Sequence, residues 1–340
     1  MFLSWLQRTT TTLAGSWWQT PATPSFSNIG GIPAAYNGGV LVPDGRVVLV
    51  PYTGTSIGIF NTITNTFATI SVGAITTDAY NGGVLLQDGR VVFVPRSFAG
   101  IGIFNPSNNT YSTVATGSLP GVAYLYGTLL QDGRVLFIPT NSTTIGFFNP
   151  ISNTYSTVIG PTGGGFVGGV LIPDGRVVFV PGGATSIAIF NPATNTFTTA
   201  NYSSAQSNPY NGGVLLPDGR VVFVPRNSTT IGLYNPITNI YSTAGTLPAN
   251  STLYIGGVLL PDGRAMFVPS NATNIAIFNP ITNTYTTFGS SPGTDAYRGG
   301  ILLPDGRVVF IPSSGTTIGI VSGFPRPPLE LCYHPCFNKF

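Results

Sequence analysis

The chain has 340 residues and a formal net charge of +3, with 7% charged and 42% hydrophobic residues. Its apolar content excludes a disordered chain, and its 13 basic residues are too scattered to form the clustered cationic face that nucleic acid requires. Seven of the ten acidic and seven of the thirteen basic residues belong to one recurring tripeptide, Asp-Gly-Arg, so most of the charge cancels locally.

Residues 1–15 form an N-terminal tail, MFLSWL followed by a threonine run, too short and interrupted to span a membrane. It also lacks the basic start and continuous apolar core of a secretion signal. Ser16-Trp17-Trp18-Gln19-Thr20 reads as an isolated outer strand. From Tyr36 onward one unit recurs seven times. Its Asp stands at Asp44, Asp88, Asp132, Asp174, Asp218, Asp262 and Asp305, at spacings of 44, 44, 42, 44, 44 and 43 residues. A fixed period in this range marks a repeat architecture. In the fifth unit four short apolar runs are separated by turn signals. Gly213 to Leu216 is followed by Asp218-Gly219, which predicts a two-residue hairpin with positive φ at both positions. Arg220 to Val224 is closed by Pro225. Thr230 to Tyr234 is followed by Asn235-Pro236-Ile237-Thr238-Asn239, a turn in which Asn takes the left-handed conformation. Ile240 to Ala244 ends the unit.

Runs of this length rich in β-branched and aromatic residues are strands. The second run is apolar on both faces and so is buried on both; the fourth alternates, so one face meets water. A four-stranded sheet packed face to face with its neighbours, its last strand at the rim, satisfies both. The expectation is all-β: a seven-bladed β-propeller over 16–322, followed by a tail, 323–340, that holds both cysteines and the only histidine. The seventh unit lacks a fourth strand, because Pro325, Pro327 and Pro328 follow its third. The Trp17-Trp18 segment is therefore expected to supply the outer strand of the last blade and close the ring.

The segments DGRVVFVP and IGIFNPITNTY resemble the kelch and galactose-oxidase-like propeller repeat, in which a DGR-type hairpin precedes a strand and a YDPxTNTW-like segment closes the blade. In this chain Val-Pro or Ile-Pro replaces the Gly-Gly pair of that repeat after the second strand, and Tyr or Phe replaces its outer-strand Trp. WD40 fits less well, since neither Gly-His nor Trp-Asp occurs.

Three sets of residues are candidates for function. Asp44, Asp88, Asp132, Asp174, Asp218, Asp262 and Asp305, with Arg46, Arg90, Arg134, Arg176, Arg220, Arg264 and Arg307, form a sevenfold ring of charge. Its perfect repetition favours a structural role, Asp making the turn and Arg pairing with it or with a neighbouring blade. An aromatic residue precedes the first strand of every unit: Tyr36, Tyr80, Tyr124, Phe166, Tyr210, Tyr254 and Tyr297. These rings either stack on a sugar or partner at the channel mouth or fill gaps between blades. The connections that vary between copies lie on one face and carry Arg96, Arg226, Arg298, Asp78 and Asp295; this face is either a binding surface or plain solvated surface.

Catalytic sets are sparse. His334 is the only histidine, so the copper site that the resemblance implies for a galactose oxidase has no histidines in the ring, and no cofactor is expected. Cys332, His334 and Cys336 fall one ligand short of a closed zinc site, so no metal is expected; a local disulfide or two thiols is the alternative. Six Asn-x-Ser/Thr sequons stand at Asn108, Asn141, Asn201, Asn227, Asn250 and Asn271. Taken together, the sequence predicts a non-enzymatic scaffold, a surface or particle-associated structural component with protein partners. The alternative is a soluble recognition module, lectin-like or protein-binding, on the variable face. Neither reading includes nucleic acid or a transmembrane segment.

Overall fold

The computed structural model describes residues 23–333 apart from 34, 74, 76, 205 and 249–252. Each of the first six sequence units folds as one antiparallel four-stranded sheet whose strands follow in chain order from the ring axis outward, and the seventh supplies the inner three strands of the last sheet. In the fifth these are Tyr210–Leu215, Val221–Pro225, Ile231–Asn235 and Ile240–Ala244. Seven such sheets form, and each innermost strand packs on the next, the first meeting the last, so the ring is closed.

Burial follows the composition of the runs. Every residue of the second strands Val91–Pro95, Val177–Pro181 and Val221–Pro225 is buried. The outer strands Thr66–Ser71 and Thr110–Ala115 are mostly exposed, each with a half-buried aromatic, Phe67 or Tyr111, that packs on an aromatic of its own sheet. Both turns of the unit use side-chain geometry. The hairpin differs from the two-residue form that Asp-Gly suggests: Pro217, Asp218 and Gly219 lie inside a Leu216 N–H to Arg220 O bond of 2.8 Å, and only Gly219 has positive φ. Asp218 needs none, because its carboxylate accepts the Arg220 backbone N–H at 3.0 Å and holds the turn in ordinary helical geometry. In the second turn Asn235 accepts the N–H of Ile237 at 2.9 Å, and Asn239 takes φ 58° as expected.

The last blade is completed by an N-terminal strand, but not by the tryptophan segment. The strand is Ser25–Ile29, antiparallel to Ile318–Ser322 in the register Ser25 to Ser322 and Ile29 to Ile318. Trp17 and Trp18 lie outside the described residues. SFSNI carries the outer-strand pattern of TFATI at 66–70. Phe26 takes the place of Phe67, with its ring 6.3 Å from Tyr297 and 6.2 Å from Phe310.

Beyond the ring, residues 323–333 lie against the last hairpin. Leu331 and Cys332, in the short helix Leu329–Tyr333, are buried. Burial, with a smaller contribution from Asp305, pushes the Cys332 thiol up to about 12. His334 and Cys336 lie outside the described residues. Among the described residues no helix is long and apolar enough to cross a membrane.

Two features of the innermost strands set up the mouth of the ring. Across each first hairpin the register slips by one residue, as between Tyr36 and Gly39, which makes a bulge just after the aromatic residue. The bulge directs the two residues after the aromatic toward the axis. The glycine that ends it admits side chains of the preceding blade: a Cβ on Gly83 would stand 2.7 Å from Val40 Cγ2.

Candidate functional site

The Asp-Arg set lies on the hairpin face and ties adjacent blades together. Arg46 donates from Nε to Asp44 at 2.8 Å and from Nη2 to the Pro106 carbonyl of the next blade at 2.6 Å. Arg220 does the same with Asp218 and with Pro280 at 2.7 Å, adding Asn283 at 2.9 Å. Arg307 reaches Asn65 across the closure at 3.2 Å. Arg176 and Arg264 pair with Asp174 and Asp262 at 2.6 Å. Partial burial alone would raise the Asp44, Asp88 and Asp132 carboxyls. The hydrogen bonds from their arginines outweigh it and hold them below the usual range.

The aromatic ring of seven is placed away from the channel. Tyr36, Tyr80, Tyr124, Phe166, Tyr210, Tyr254 and Tyr297 are all buried, at 0–3% exposure. They point outward into their own sheets: Tyr80 donates to or accepts from the Tyr111 hydroxyl of the outer strand, as Tyr124 does with Tyr155 at 2.8 Å. The sugar-stacking surface considered for these rings is therefore not presented. The reason is the bulge, which begins at the following residue and leaves the aromatic on the blade side.

The loop face brings the remaining candidates together. Arg96 pairs with Asp78 at 2.9 Å and lies 5.2 Å over the ring of Tyr52. The Tyr52 phenol, raised by burial first and then by its hydrogen bond to Asp78, also senses Arg96 and Arg298. Arg298 grips Asp295 with two bonds of 3.1 and 2.9 Å, and Ser270 donates to the same carboxylate at 3.1 Å. Arg298 stays firmly protonated, because Asp295 outweighs the effect of burial. Arg226, on the equivalent position of the fifth blade to Arg96 in the second, has a buried Nε with no hydrogen-bond partner among the described residues.

Below this rim lies a floor that the sequence did not single out as a site. Asn37 donates to Asn81, and Asn81 to the Leu125 carbonyl at 2.6 Å, linking the first three blades. Tyr126 then reaches from the third blade to Asn211 of the fifth, donating at 2.9 Å. Six of the seven units have Gly at the position of Tyr126: Gly38, Gly82, Gly168, Gly212, Gly256 and Gly299. Burial pushes the Tyr126 phenol up to about 12 against the pull of Arg298 and Arg226, so it is a neutral donor at ordinary pH. The signal was present as the departure of the third unit from Gly-Gly. Asn37, Asn81 and Asn211 gave none, because asparagine there reads as ordinary repeat consensus. Among the described residues no cluster of three or more His, Cys, Asp or Glu could hold a metal.

No protein-family model matches the sequence, and no curated protein sequence does. Solved structures match the fold. A catalytically inactive histidine-to-alanine variant of virginiamycin B lyase from Staphylococcus aureus, with quinupristin, superposes at TM-score 0.76 and 15% identity, over 88% of this chain and 99% of that one. A streptogramin B lyase does so at 0.76 and 16%, over 88% and 97%. A fungal alcohol oxidase of the AA5 family, in complex with copper, gives 0.65 and 12%, over 94% and 79%. These confirm the seven-bladed propeller and are not kelch proteins by description. They also correct the expectation of a non-enzymatic structural or recognition scaffold. These three neighbours are enzymes, so the fold does not point away from catalysis, although identity this low carries no activity across.

Proposed function

We propose that this propeller takes a small polar molecule into the mouth of its channel on the loop face. Arg96, Arg226 and Arg298 form the rim, and Tyr126 with Asn211 forms the floor. The observation that carries this reading is the convergence of residues that most blades lack. The fold needs seven similar blades, yet Tyr126 and Arg298 each occur in one blade only, and Arg96 with Arg226 and Asp78 with Asp295 in two each, all at this one mouth. Polar side chains that the scaffold does not require, gathered at one place on the loop face, favour a ligand site. Any reaction would take place at the same mouth. Asp78 and Asp295 are each held by arginine, so the geometry supports binding and assigns no proton-transfer residue.

The kelch likeness of the repeat rests on the hairpin and closing segments, both of which serve the blade rather than the mouth. The test is a thermal-shift screen against a library of small metabolites, repeated with Tyr126→Phe and Asn211→Ala. Binding that weakens in both variants supports the reading. Binding that is unchanged in both, or no stabilising compound at all, refutes it.

A further inference from the structure

Resting on that reading, the structure assigns the ligand a class: we infer that the mouth binds an oxyanion, a carboxylate or phosphate group, seated on Arg226. The argument is one of charge at equivalent positions. Two residues before five of the buried aromatics the chain adopts left-handed backbone, at Asp78 (φ 61°), Val122 (φ 58°), Gly164 (φ 55°), Asn208 (φ 49°) and Asp295 (φ 54°). In the second blade this position supplies Asp78, which neutralises Arg96 at 2.9 Å. In the seventh it supplies Asp295, which neutralises Arg298 at 2.9 Å. The fifth blade keeps the arginine but has the neutral amide Asn208 where the acid would be.

The result is three guanidiniums facing two carboxylates, with the excess charge localised on Arg226. Its Nε is closed off from solvent and without a hydrogen-bond partner among the described residues, which leaves the guanidinium under-satisfied, while the side chain is only partly buried, so an anion meets it through its terminal nitrogens. An oxyanion accepts from a guanidinium in the planar geometry that suits it. The Tyr126 phenol, within electrostatic reach of both Arg226 and Arg298, gives its one proton to Asn211 Oδ1 at 2.9 Å and adds no negative charge beside the same place.

The experiment is calorimetric titration of the full chain with succinate and with inorganic phosphate, against succinamide as the neutral analogue, at constant ionic strength. The variants are Arg226→Gln and Asn208→Asp. The second copies the arrangement of Asp78 and Arg96, and Asp already occupies this backbone conformation in two blades. Expected is binding of at least one anion, weakened about tenfold or more in Arg226→Gln, as befits loss of a charge-assisted hydrogen bond. Asn208→Asp is expected to weaken it similarly while raising Tm without ligand, because the new carboxylate neutralises Arg226 internally. Anion binding that persists in both variants, or a Tm unmoved by Asn208→Asp, overturns the inference. If succinamide binds through Tyr126 and the anions do not, the anion class falls and the mouth reading stands; if nothing binds, both fall.

Discussion

Replacing Gly169 by alanine tests how closely the blades approach. Its φ is not in the left-handed region, so backbone strain is not at issue. The added Cβ would stand 2.4 Å from Ile138 Cδ1, 3.0 Å from Ile138 Cγ1 and 3.2 Å from Val177 Cγ1. Ile138 and Val177 are both fully buried, so neither moves freely. Overpacking of one methyl in a filled core costs about 1–3 kcal/mol. Loss of glycine's freedom in the unfolded chain returns about 0.4–1 kcal/mol. At the middle of both ranges the net destabilisation is about 1.3 kcal/mol, and with an unfolding entropy of ~2.1 cal/mol/K per residue over roughly 300 residues it lowers Tm by about 2 °C. Gly30→Ala is the control, since nothing lies within 4 Å of its Cβ position. Scanning calorimetry of both, and of the pair Gly169→Ala with Ile138→Val, reads the effect. The pair should lose less than the sum of the single changes, because removing Cδ1 takes away the nearest contact. A Gly169→Ala protein as stable as the Gly30→Ala control, or strict additivity in the pair, would refute the packing argument.

Three further outcomes follow from the same structure. Deleting residues 1–22 should leave Tm nearly unchanged, whereas deleting 1–30 removes Ser25–Ile29 and should cause a large drop in Tm or loss of soluble protein; equal effects of the two deletions would put the closing strand elsewhere. Burial pushes Tyr36, Tyr126 and Tyr202 up to about 12. Because the folded values lie above the unfolded value of about 10, this contribution is complete below that pH and is lost as pH rises toward 12. Urea midpoints measured from neutral pH upward should be level at first and then fall, and a midpoint that rose through this window would contradict the sign. The Cys332 thiol, pushed up to about 12, should resist alkylation by iodoacetamide near pH 8 in the native protein and react in urea, as read by peptide mass spectrometry.

The ring itself was legible because two periods coincide in the sequence. The 42–44-residue spacing of Asp-Gly-Arg counts the blades, and the apolar alternation inside each unit orders the strands from buried to exposed. Closure by an N-terminal strand was legible from the missing fourth run of the last unit. Its location was misread because two tryptophans outweighed the weaker but better-matched SFSNI. In an outer strand the matching property is the placing of one half-buried aromatic between exposed hydroxyl residues, as Phe26 and Tyr111 show, rather than total hydrophobicity. The hairpin was misread for a related reason: Asp-Gly favours a two-residue turn locally, but the carboxylate of Asp218 finds the Arg220 backbone and settles a three-residue loop instead.

The site was harder to read than the fold because it depends on which way one residue points. Sequence places Tyr80 and Asn81 side by side at the start of an inner strand, and either could line the channel. The bulge decides between them. Tyr80 stays on the blade side, so close over the third strand that a Cβ on Gly102 would stand 3.0 Å from its Cζ. Asn81 turns to the axis and joins the floor. Each unit thus separates two duties between neighbouring positions. The aromatic packs the blade and must repeat, while the one or two residues after it face the channel and are free to differ. That separation explains how Leu125-Tyr126 can stand where Asn37-Gly38 stands in the first unit without disturbing the sheet: the Thr128 to Leu136 and Leu129 to Val135 pairing of the third blade matches the Val40 to Val48 and Leu41 to Val47 pairing of the first. A propeller built this way can change what its mouth recognises by substitutions at two positions per blade, and in this chain Leu125-Tyr126 of the third blade and Arg298 of the seventh stand where the first, second and fifth blades have Asn-Gly and Asn.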